Sequence, residues 1–189
     1  MIDKRGDDQI VTDFLNGDRE SFRVLAEMYS DTLFRVAMGY LHSKEDSEDL
    51  VQEVLIKVYS SLETFKGDSK LSTWLYRITV NACLNEIAKK RRRGIFDRIE
   101  DGMAKISNKG GADRNPQESM IADEITIAVR KAIDSLPEKQ KTAFILQKYQ
   151  DLSQKEISAI MQLSEGSVEQ LLMRGKESLK KKLKHIKTN

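Results

Sequence analysis

A stripe of cationic, amide and aromatic side chains recurs at three- or four-residue steps between residues 70 and 89. Its members are Lys70, Trp74, Arg77, Asn81, Asn85 and Lys89, and an uninterrupted basic run continues over 89–93. This spacing places side chains on one face of a helix. Aromatic rings that stack on bases, set among lysine and arginine, are typical of proteins that bind single-stranded nucleic acid. The stripe therefore indicates a helix that binds single-stranded nucleic acid. Two alternatives remain: Trp74 is a core residue, and the basic run only makes a helix end soluble.

A second group is acidic. Asp49, Gln52 and Glu53 share an outward helix face at i, i+3 and i+4, with Glu45, Asp46 and Glu48 close by, while Leu50 and Val51 face inward. Crowded acids repel one another unless a basic partner is present, so this face suits a protein partner. The alternative is an ordinary solvated helix face. No companion base, metal-ligand set or phosphate-binding loop accompanies these carboxylates, and catalysis is not expected.

A third group lies near the carboxyl end, where two short amphipathic helices are separated by three or four residues, the spacing of a helix-turn-helix. The second helix offers polar side chains suited to base edges and phosphates: Ser164, Glu165, Ser167, Glu169, Gln170, Met173, Arg174 and Lys176. From residue 174 onwards seven lysines and arginines oppose only Glu177, giving +6. This basic tail favours a DNA-binding module over an ordinary pair of packed helices.

Composition narrows the class of protein. The 189 residues include 33% charged and 39% hydrophobic residues, two prolines, one cysteine and two histidines. So few cysteines and histidines argue against disulfides, most metal sites and a histidine-dependent triad. No apolar run approaches the ~18 residues of a membrane span. We expect a cytoplasmic protein, not an enzyme, that has no cofactor and no membrane insertion.

Helical periodicity runs through most of the chain. The predicted helices cover residues 10–15, a segment capped by Asp18 and reaching about 40, then 44–62, 71–92, 116–135, 137–150, 154–161 and a last helix capped by Ser164. The pattern decays over 94–118, where four glycines occur. The predicted fold is all-α, with two small helical domains joined by a flexible linker and a helix-turn-helix in the second domain.

Five stretches, in order, resemble the extracytoplasmic-function sigma factors of the bacterial sigma-70 family. They are DSEDLVQE at 46–53, FKGDSKLSTWLYRI at 65–78, NACLNEIAKKRRR at 81–93, LPEKQ at 136–140 and LSQKEISAIMQLSEGSVEQLLMRGK at 152–176. The resemblance covers about 8–93 and 119–183. It implies that 8–93 is sigma region 2, that 94–118 is a linker and that 119–183 is region 4. The expected function is to bind core RNA polymerase, direct it to promoters and melt them.

The resemblance also implies roles for residues. Asp46, Asp49, Gln52 and Glu53 would contact core polymerase. The −10 element would be melted and read by Lys66, Ser69, Lys70, Trp74, Arg77, Asn81, Asn85, Lys89, Arg91 and Arg92, and the duplex −35 element by the eight residues of the second helix. Asn85 stands where many members have aspartate, and 169–171 stand where members often have Lys, Ser and Arg. An anti-sigma factor is a further expected partner.

Geometry favours this interpretation independently. The two promoter elements lie about 25 base pairs apart, or roughly 85 Å at ~3.4 Å per pair. A linker of about 25 residues spans at most ~80–90 Å when extended. It is therefore just long enough to connect two domains bound to the two promoter elements. Two alternatives remain open: a conventional helix-turn-helix regulator with a sensing or dimerising first half, and a helical adaptor that binds only protein.

Overall fold

The computed structural model describes residues 6–100 and 116–184, with side chains for 6–93 and 124–184. These residues form eight α-helices and one 3₁₀ turn, without a strand. The helices are α1 (Asp7–Leu15), α2 (Arg19–Leu41), α3 (Lys44–Ser61), α4 (Leu71–Glu100), α5 (Pro116–Asp134), α6 (Glu138–Gln150), α7 (Gln154–Met161) and α8 (Glu165–Lys182). The all-α prediction is confirmed. Within the described ranges, no helix is long and apolar enough to cross a membrane.

Side-chain caps start several of the helices where the sequence predicts them. The Asp18 carboxylate accepts a hydrogen bond from the Glu20 N–H at 3.0 Å and starts α2. Ser153 and Glu156 form a complete capping box at α7. The Ser164 hydroxyl accepts from the Ser167 N–H at 3.2 Å and starts α8. These bonds satisfy amide groups that the first turn of a helix leaves without partners.

Two predicted helix ends are wrong. The third helix ends at Ser61 and continues as a 3₁₀ turn over Leu62–Thr64, one residue short of the prediction. The fourth runs to Glu100, eight residues beyond the predicted end and into the segment assigned to the linker. A single glycine, Gly94, costs a helix only about 1 kcal/mol, and the stretch contains no proline to stop it. Asn115 directly precedes Pro116 and is the N-cap that the sequence predicts for the fifth helix; it and most of the predicted linker lie outside the described residues.

The first domain consists of α1–α4, with α2 packed against each of the other three helices. Its core is aliphatic and fully buried, with Leu25, Leu33, Val54, Leu62 and Leu75 at its centre. Burying side chains of this size is worth ~1.5–3 kcal/mol each. The core therefore fixes the relative positions of α3 and α4, the two helices that carry the acidic face and the basic stripe.

The second domain consists of α5–α8. Helix α6 packs against α7 and α8, and Leu146, Ile157, Val168 and Leu172 are buried between them. A smaller apolar cluster, which includes Ile133 and Leu179, joins α5 to α8. This packing holds α7 and α8 in the predicted helix-turn-helix, with only residues 162–164 between them.

The two domains are in contact with each other. Helix α2 lies against α6 and α4 lies against α7, and the buried apolar residues of both domains form one continuous cluster. The sequence predicts two domains but does not identify the residues through which they pack together.

Candidate nucleic-acid and protein interfaces

The acidic face of α3 is solvent-exposed as predicted. Asp49, Gln52 and Glu53 point outward, while Leu50 and Val51 on the same helix are buried. Ile56 continues this face one turn further on and is 70% exposed. An isoleucine so exposed gains nothing for the fold, and sequence reasoning missed it although it follows Gln52 at i+4. The face is thus an acidic patch with an apolar end, a composition suited to a protein partner.

Asp46 differs from the other predicted members of this face. Its carboxylate Oδ2 lies 2.6 Å from Lys90 Nζ. The hydrogen bond from Lys90 lowers the pKa of Asp46, further helped by Ser43 and opposed by partial burial. Asp46 therefore already has a cation partner within the chain. Among the described side chains, neither Asp49 nor Glu53 forms an ion pair.

A groove between α2 and α3 adjoins the acidic face. Its volume is about 490 Å³, and Phe34, Val51 and Leu55 supply its apolar lining while Gln52 stands at its edge. An apolar groove beside an exposed polar face provides both burial and orientation for a partner's side chain.

The predicted basic stripe lies on α4 and the loop that precedes it. Lys66, Lys70, Asn81 and Asn85 are exposed, and so is the helix end carrying Lys89, Arg91 and Arg92. Ser69 is half-buried. These side chains form one cationic and polar surface, as the periodicity predicts.

Trp74 is partly buried within this surface. Its ring lies 5.5 Å from that of Phe65, tilted by 51°. Leu71 and Leu75 on either side of it are fully buried and anchor the helix. Trp74 thus combines a packing contact with partial exposure, so its position fits neither a purely core residue nor a fully exposed one.

Arg77 makes a contact that the sequence does not predict. Its Nη2 donates a hydrogen bond of 2.6 Å to the carbonyl oxygen of Ala159 in α7 of the second domain. Its Nε is buried, with no partner among the described residues. Beside this contact lies a groove of about 300 Å³. It is lined by Arg77 and Asn81 of α4 and by Gln162 and Leu163 of the helix-turn-helix, among other residues. One edge of the basic stripe is therefore covered by the second domain.

The outward face of α8 is free of such cover. All eight predicted residues, Ser164, Glu165, Ser167, Glu169, Gln170, Met173, Arg174 and Lys176, are exposed. Val168 and Leu172 hold the opposite face in the core. Leu163, in the turn between α7 and α8, is partly buried against this core. The N-terminal turns of α8, where the helix dipole attracts phosphate, therefore face solvent.

The described part of the chain offers few groups suited to catalysis or metal binding. No group of three or more His, Cys, Asp or Glu side chains is placed there to hold a metal ion. Cys83 is fully buried, and burial raises the pKa of its thiol to about 12. A thiol with this pKa is not a nucleophile near neutral pH.

Comparison with known proteins matches both halves of the chain. The family model of sigma-70 region 2 matches residues 25–93, and that of sigma-70 region 4 matches 126–179. The RNA polymerase sigma-H factor of Pseudomonas aeruginosa is 30% identical, and the ECF RNA polymerase sigma-E factor of Escherichia coli K12 is 33% identical. Each alignment covers 98% of both chains. The chain belongs to the extracytoplasmic-function sigma factors.

Solved structures share the fold of this sigma factor. CnrH, solved with the cytosolic domain of CnrY, matches 94% of the chain with a TM-score of 0.66 and 20% identity, over 97% of its own length. The sigma factor RpoE of Bartonella quintana, solved with the anti-sigma factor NepR, matches 89% with a TM-score of 0.60 and 23% identity, over 99% of its own length.

The surfaces described above lie inside the matched segments. The acidic face and the basic stripe fall within the region 2 match, and the α8 face falls within the region 4 match. Sigma factors are transcription initiation factors, and this is the function of the chain.

Proposed function

We propose that this sigma factor divides promoter recognition among three of its surfaces. Residues 8–93 form region 2, with the core-polymerase contact on α3 and the −10 contact on α4. Residues 119–183 form region 4, with the −35 contact on α8, and 94–118 connect the two regions. The observation that carries this assignment is that most side chains of each set are exposed on α3, on α4 with the loop before it, or on α8, while the opposite face of each helix is buried.

The core-polymerase contact is assigned to Asp49, Gln52 and Glu53 of α3. Their acidic charge selects a basic partner surface, and exposed Ile56 adds apolar area at the end of the patch. Asp46 contributes less, because Lys90 already neutralises it.

The −10 contact is assigned to Lys66, Ser69, Lys70, Trp74, Arg77, Asn81, Asn85, Lys89, Arg91 and Arg92. Trp74 offers an aromatic ring for stacking, Asn81 offers an amide that donates and accepts hydrogen bonds, and the cations around them attract phosphate. A surface of this kind captures unpaired bases and so promotes strand separation.

The −35 contact is assigned to the exposed face of α8. Ser164, Ser167 and Gln170 near the N-terminus are suited to base edges, and Arg174 and Lys176 are suited to phosphates. This assignment of bases to the N-terminal residues and phosphates to the later ones corresponds to the way a recognition helix binds DNA. Its N-terminal residues contact the bases in the major groove.

An anti-sigma factor is the expected regulatory partner. The solved relative from Bartonella quintana was crystallised with such a protein. The proposed location is the cytoplasm, where the polymerase is found, and the proposed activity is binding without catalysis.

In vitro transcription tests the proposal as a whole. The purified chain and core polymerase are supplied with a library of promoter fragments, and the expected result is a set of defined transcripts that core polymerase alone does not make. Tight binding of the isolated chain to a palindromic duplex, with no added transcript, would instead identify a conventional regulator. Core binding without DNA crosslinking at 70–92 would identify a helical adaptor.

A further inference from the structure

The groove between α4 and the helix-turn-helix, with a volume of about 300 Å³, is lined by both polar and aliphatic side chains. Its aliphatic lining consists of Val80, Leu84, Ile160, Met161 and Leu163. No aromatic ring is among the described side chains that line it. Its volume lies at the lower end of the ~300–1,000 Å³ typical of small-molecule sites, which are mostly apolar with a few polar groups. The groove therefore has the composition of a site for a small amphipathic molecule.

Close packing between α2 and α6 supports the walls of this groove. A Cβ atom placed on Gly39 of α2 would come within 2.8 Å of Ile145 Cγ2 in α6, so the two helices approach more closely than a larger residue would allow. Beside this contact, the buried Lys141 Nζ lies 2.6 Å from Asp134 Oδ1 and 3.5 Å from the carbonyl oxygen of Tyr40. The groove is therefore already formed in the folded chain, as is usual for small-molecule sites.

The charged side chains of the groove leave an excess of one positive charge. Arg77 of α4 and Lys139 of α6 line it together with a single carboxylate, Glu138. None of the three forms an ion pair with another described side chain. Because two unpaired cations outweigh one carboxylate, the groove attracts an anion.

Arg77 has hydrogen-bonding capacity that the protein does not use. Its Nη2 donates to the carbonyl oxygen of Ala159, whereas its Nε is buried and has no partner among the described atoms. A buried donor without an acceptor is unfavourable. A carboxylate supplies two acceptor oxygens whose spacing matches the guanidinium group. Arg77 therefore favours a carboxylate over other anionic head groups.

The larger groove between α2 and α3 has the opposite charge. Its volume is about 490 Å³, and its charged side chains are Asp31, Glu48 and Lys44. Lys44 already pairs with Glu48 at 3.7 Å. The excess charge of this groove is negative, so it repels a carboxylate although its lining is also partly apolar. The two grooves therefore provide an internal comparison for the binding of an amphipathic anion.

We propose that the groove between α4 and the helix-turn-helix binds a small unbranched aliphatic carboxylate, with the head group at Arg77 and Lys139 and the chain along Leu84, Ile160 and Met161. The volume suits a chain of about eight carbons rather than a whole membrane lipid. This ligand site goes beyond the proposed promoter contacts and does not depend on them, because it is assigned from the charge and lining of the groove alone.

Titration of the full ¹⁵N-labelled chain with octanoate, followed by nuclear magnetic resonance, tests the site. We expect saturable binding at one site, with a dissociation constant on the order of 0.1–1 mM for a ligand of about ten non-hydrogen atoms. The side-chain amides of Asn81 and Gln162, which line the groove from the two domains, should be among the signals that shift. Shifts confined to the α2–α3 groove, or shifts that do not saturate, would overturn the proposal.

Related compounds separate the contribution of the head group from that of the chain. Octanamide keeps the chain without the charge and should bind at least ~10-fold more weakly, because a charged hydrogen bond is lost. From butanoate to octanoate the affinity should rise by up to ~4-fold per methylene group, the equivalent of ~0.8 kcal/mol. Equal binding of octanamide would indicate unspecific apolar adsorption, and equal binding of acetate would indicate an adventitious ion only. Either result would overturn the proposal.

Two adjacent exposed residues of α6 provide variants with opposite expected effects. Lys139→Glu reverses a cation of the groove and should weaken octanoate binding at least ~10-fold, while Glu138→Gln removes the carboxylate that repels the head group and should tighten binding several-fold. Lys131→Glu is the matched control, since Lys131 is exposed on α5 and does not line the groove, and the affinity should not change. Wild-type affinity in Lys139→Glu, or a change of the same sign in Lys139→Glu and Glu138→Gln, would overturn the proposal.

Discussion

Lys90 Nζ lies 2.6 Å from Asp46 Oδ2, and this ion pair joins the basic end of α4 to the first turn of α3. The two helices carry the surfaces assigned to promoter DNA and to polymerase. The pair therefore adds a polar link between these two surfaces, whose relative positions are set by the buried core of the first domain. It also explains why Asp46 differs from the neighbouring acids Asp49 and Glu53: only Asp46 is paired with Lys90.

Replacing Lys90 by alanine tests this pair. The pKa of Asp46 in the folded chain is lowered, chiefly by the hydrogen bond from Lys90, so the pair stabilises the fold above the ordinary carboxyl pKa. That stability is lost as the pH falls through the lowered pKa. Because the two side chains are 44% and 40% exposed, we expect a loss below about 1 kcal/mol at neutral pH and none in strong acid.

Nuclear magnetic resonance titration of Asp46, with denaturant unfolding at several pH values, measures both effects. In Lys90→Ala the pKa of Asp46 should rise towards its ordinary value. Lys89→Ala is the control, because Lys89 pairs with Glu86 on its own helix and should leave Asp46 unchanged. An Asp46 pKa that is the same with and without Lys90 would contradict the assigned cause.

Charge reversal on α3 tests the polymerase surface. Asp49→Arg should weaken association with core polymerase at least ~10-fold while leaving helicity unchanged, because Asp49 is exposed and the buried Leu50 and Val51 hold the helix. Gln52→Ala should weaken it less. Asp8→Arg reverses an exposed charge on α1 and is the control. Core binding that survives Asp49→Arg in a quantitative pull-down would remove this face from the interface.

Truncation of Trp74 tests the melting surface. Loss of one base-stacking contact costs roughly 1–3 kcal/mol, so Trp74→Ala should reduce permanganate-detected melting more than closed-complex formation. Trp74→Phe retains a ring against Phe65 and should recover part of the melting. Equal loss of melting and closed complex, together with a lower melting temperature of the protein, would mean that Trp74 serves only the fold.

Sequence periodicity predicts the elements of this fold well because the helices have apolar faces and several of them begin at a capping residue. Asp18, Ser153 and Ser164 act at the positions where their spacing places them. The end of α4 is missed because Gly94 is a weak stop signal without a proline beside it.

The domain contact is much harder to predict. Its apolar members have the same periodicity as core residues within each domain, so nothing in the pattern separates Ile145 from Leu146. The available signals are indirect: Gly39 in the middle of a helical pattern, and Lys141 at a position where the period demands an apolar residue. Neither identifies its partner, because the partner is about a hundred residues away in the sequence.

The last prediction concerns Glu169, a carboxylate on the exposed face of α8. Phosphate repels a carboxylate, but the cytosine amino group donates a hydrogen bond to one. Ser164, Ser167 and Gln170 share the exposed N-terminal turns and are suited to base edges. We therefore expect Glu169 to read a cytosine rather than to lie at the rim of the interface.

Selection of randomised −35 elements with the wild-type chain and Glu169→Lys, each in complex with core polymerase, decides between these positions. A reader of cytosine predicts a changed preference at one base while the overall affinity moves little. Glu177→Lys is the matched control, since Glu177 lies two turns further along the exposed side of α8, and its reversal should tighten binding to every sequence without changing the consensus. If Glu169→Lys behaves like this control, with an unchanged consensus and uniformly tighter binding, Glu169 lies at the rim. The base contacts of α8 would then be limited to its neutral side chains, because Arg174 and Lys176 are assigned to phosphate. Replacing either of these two residues by alanine should reduce the slope of log affinity against log salt concentration by about one.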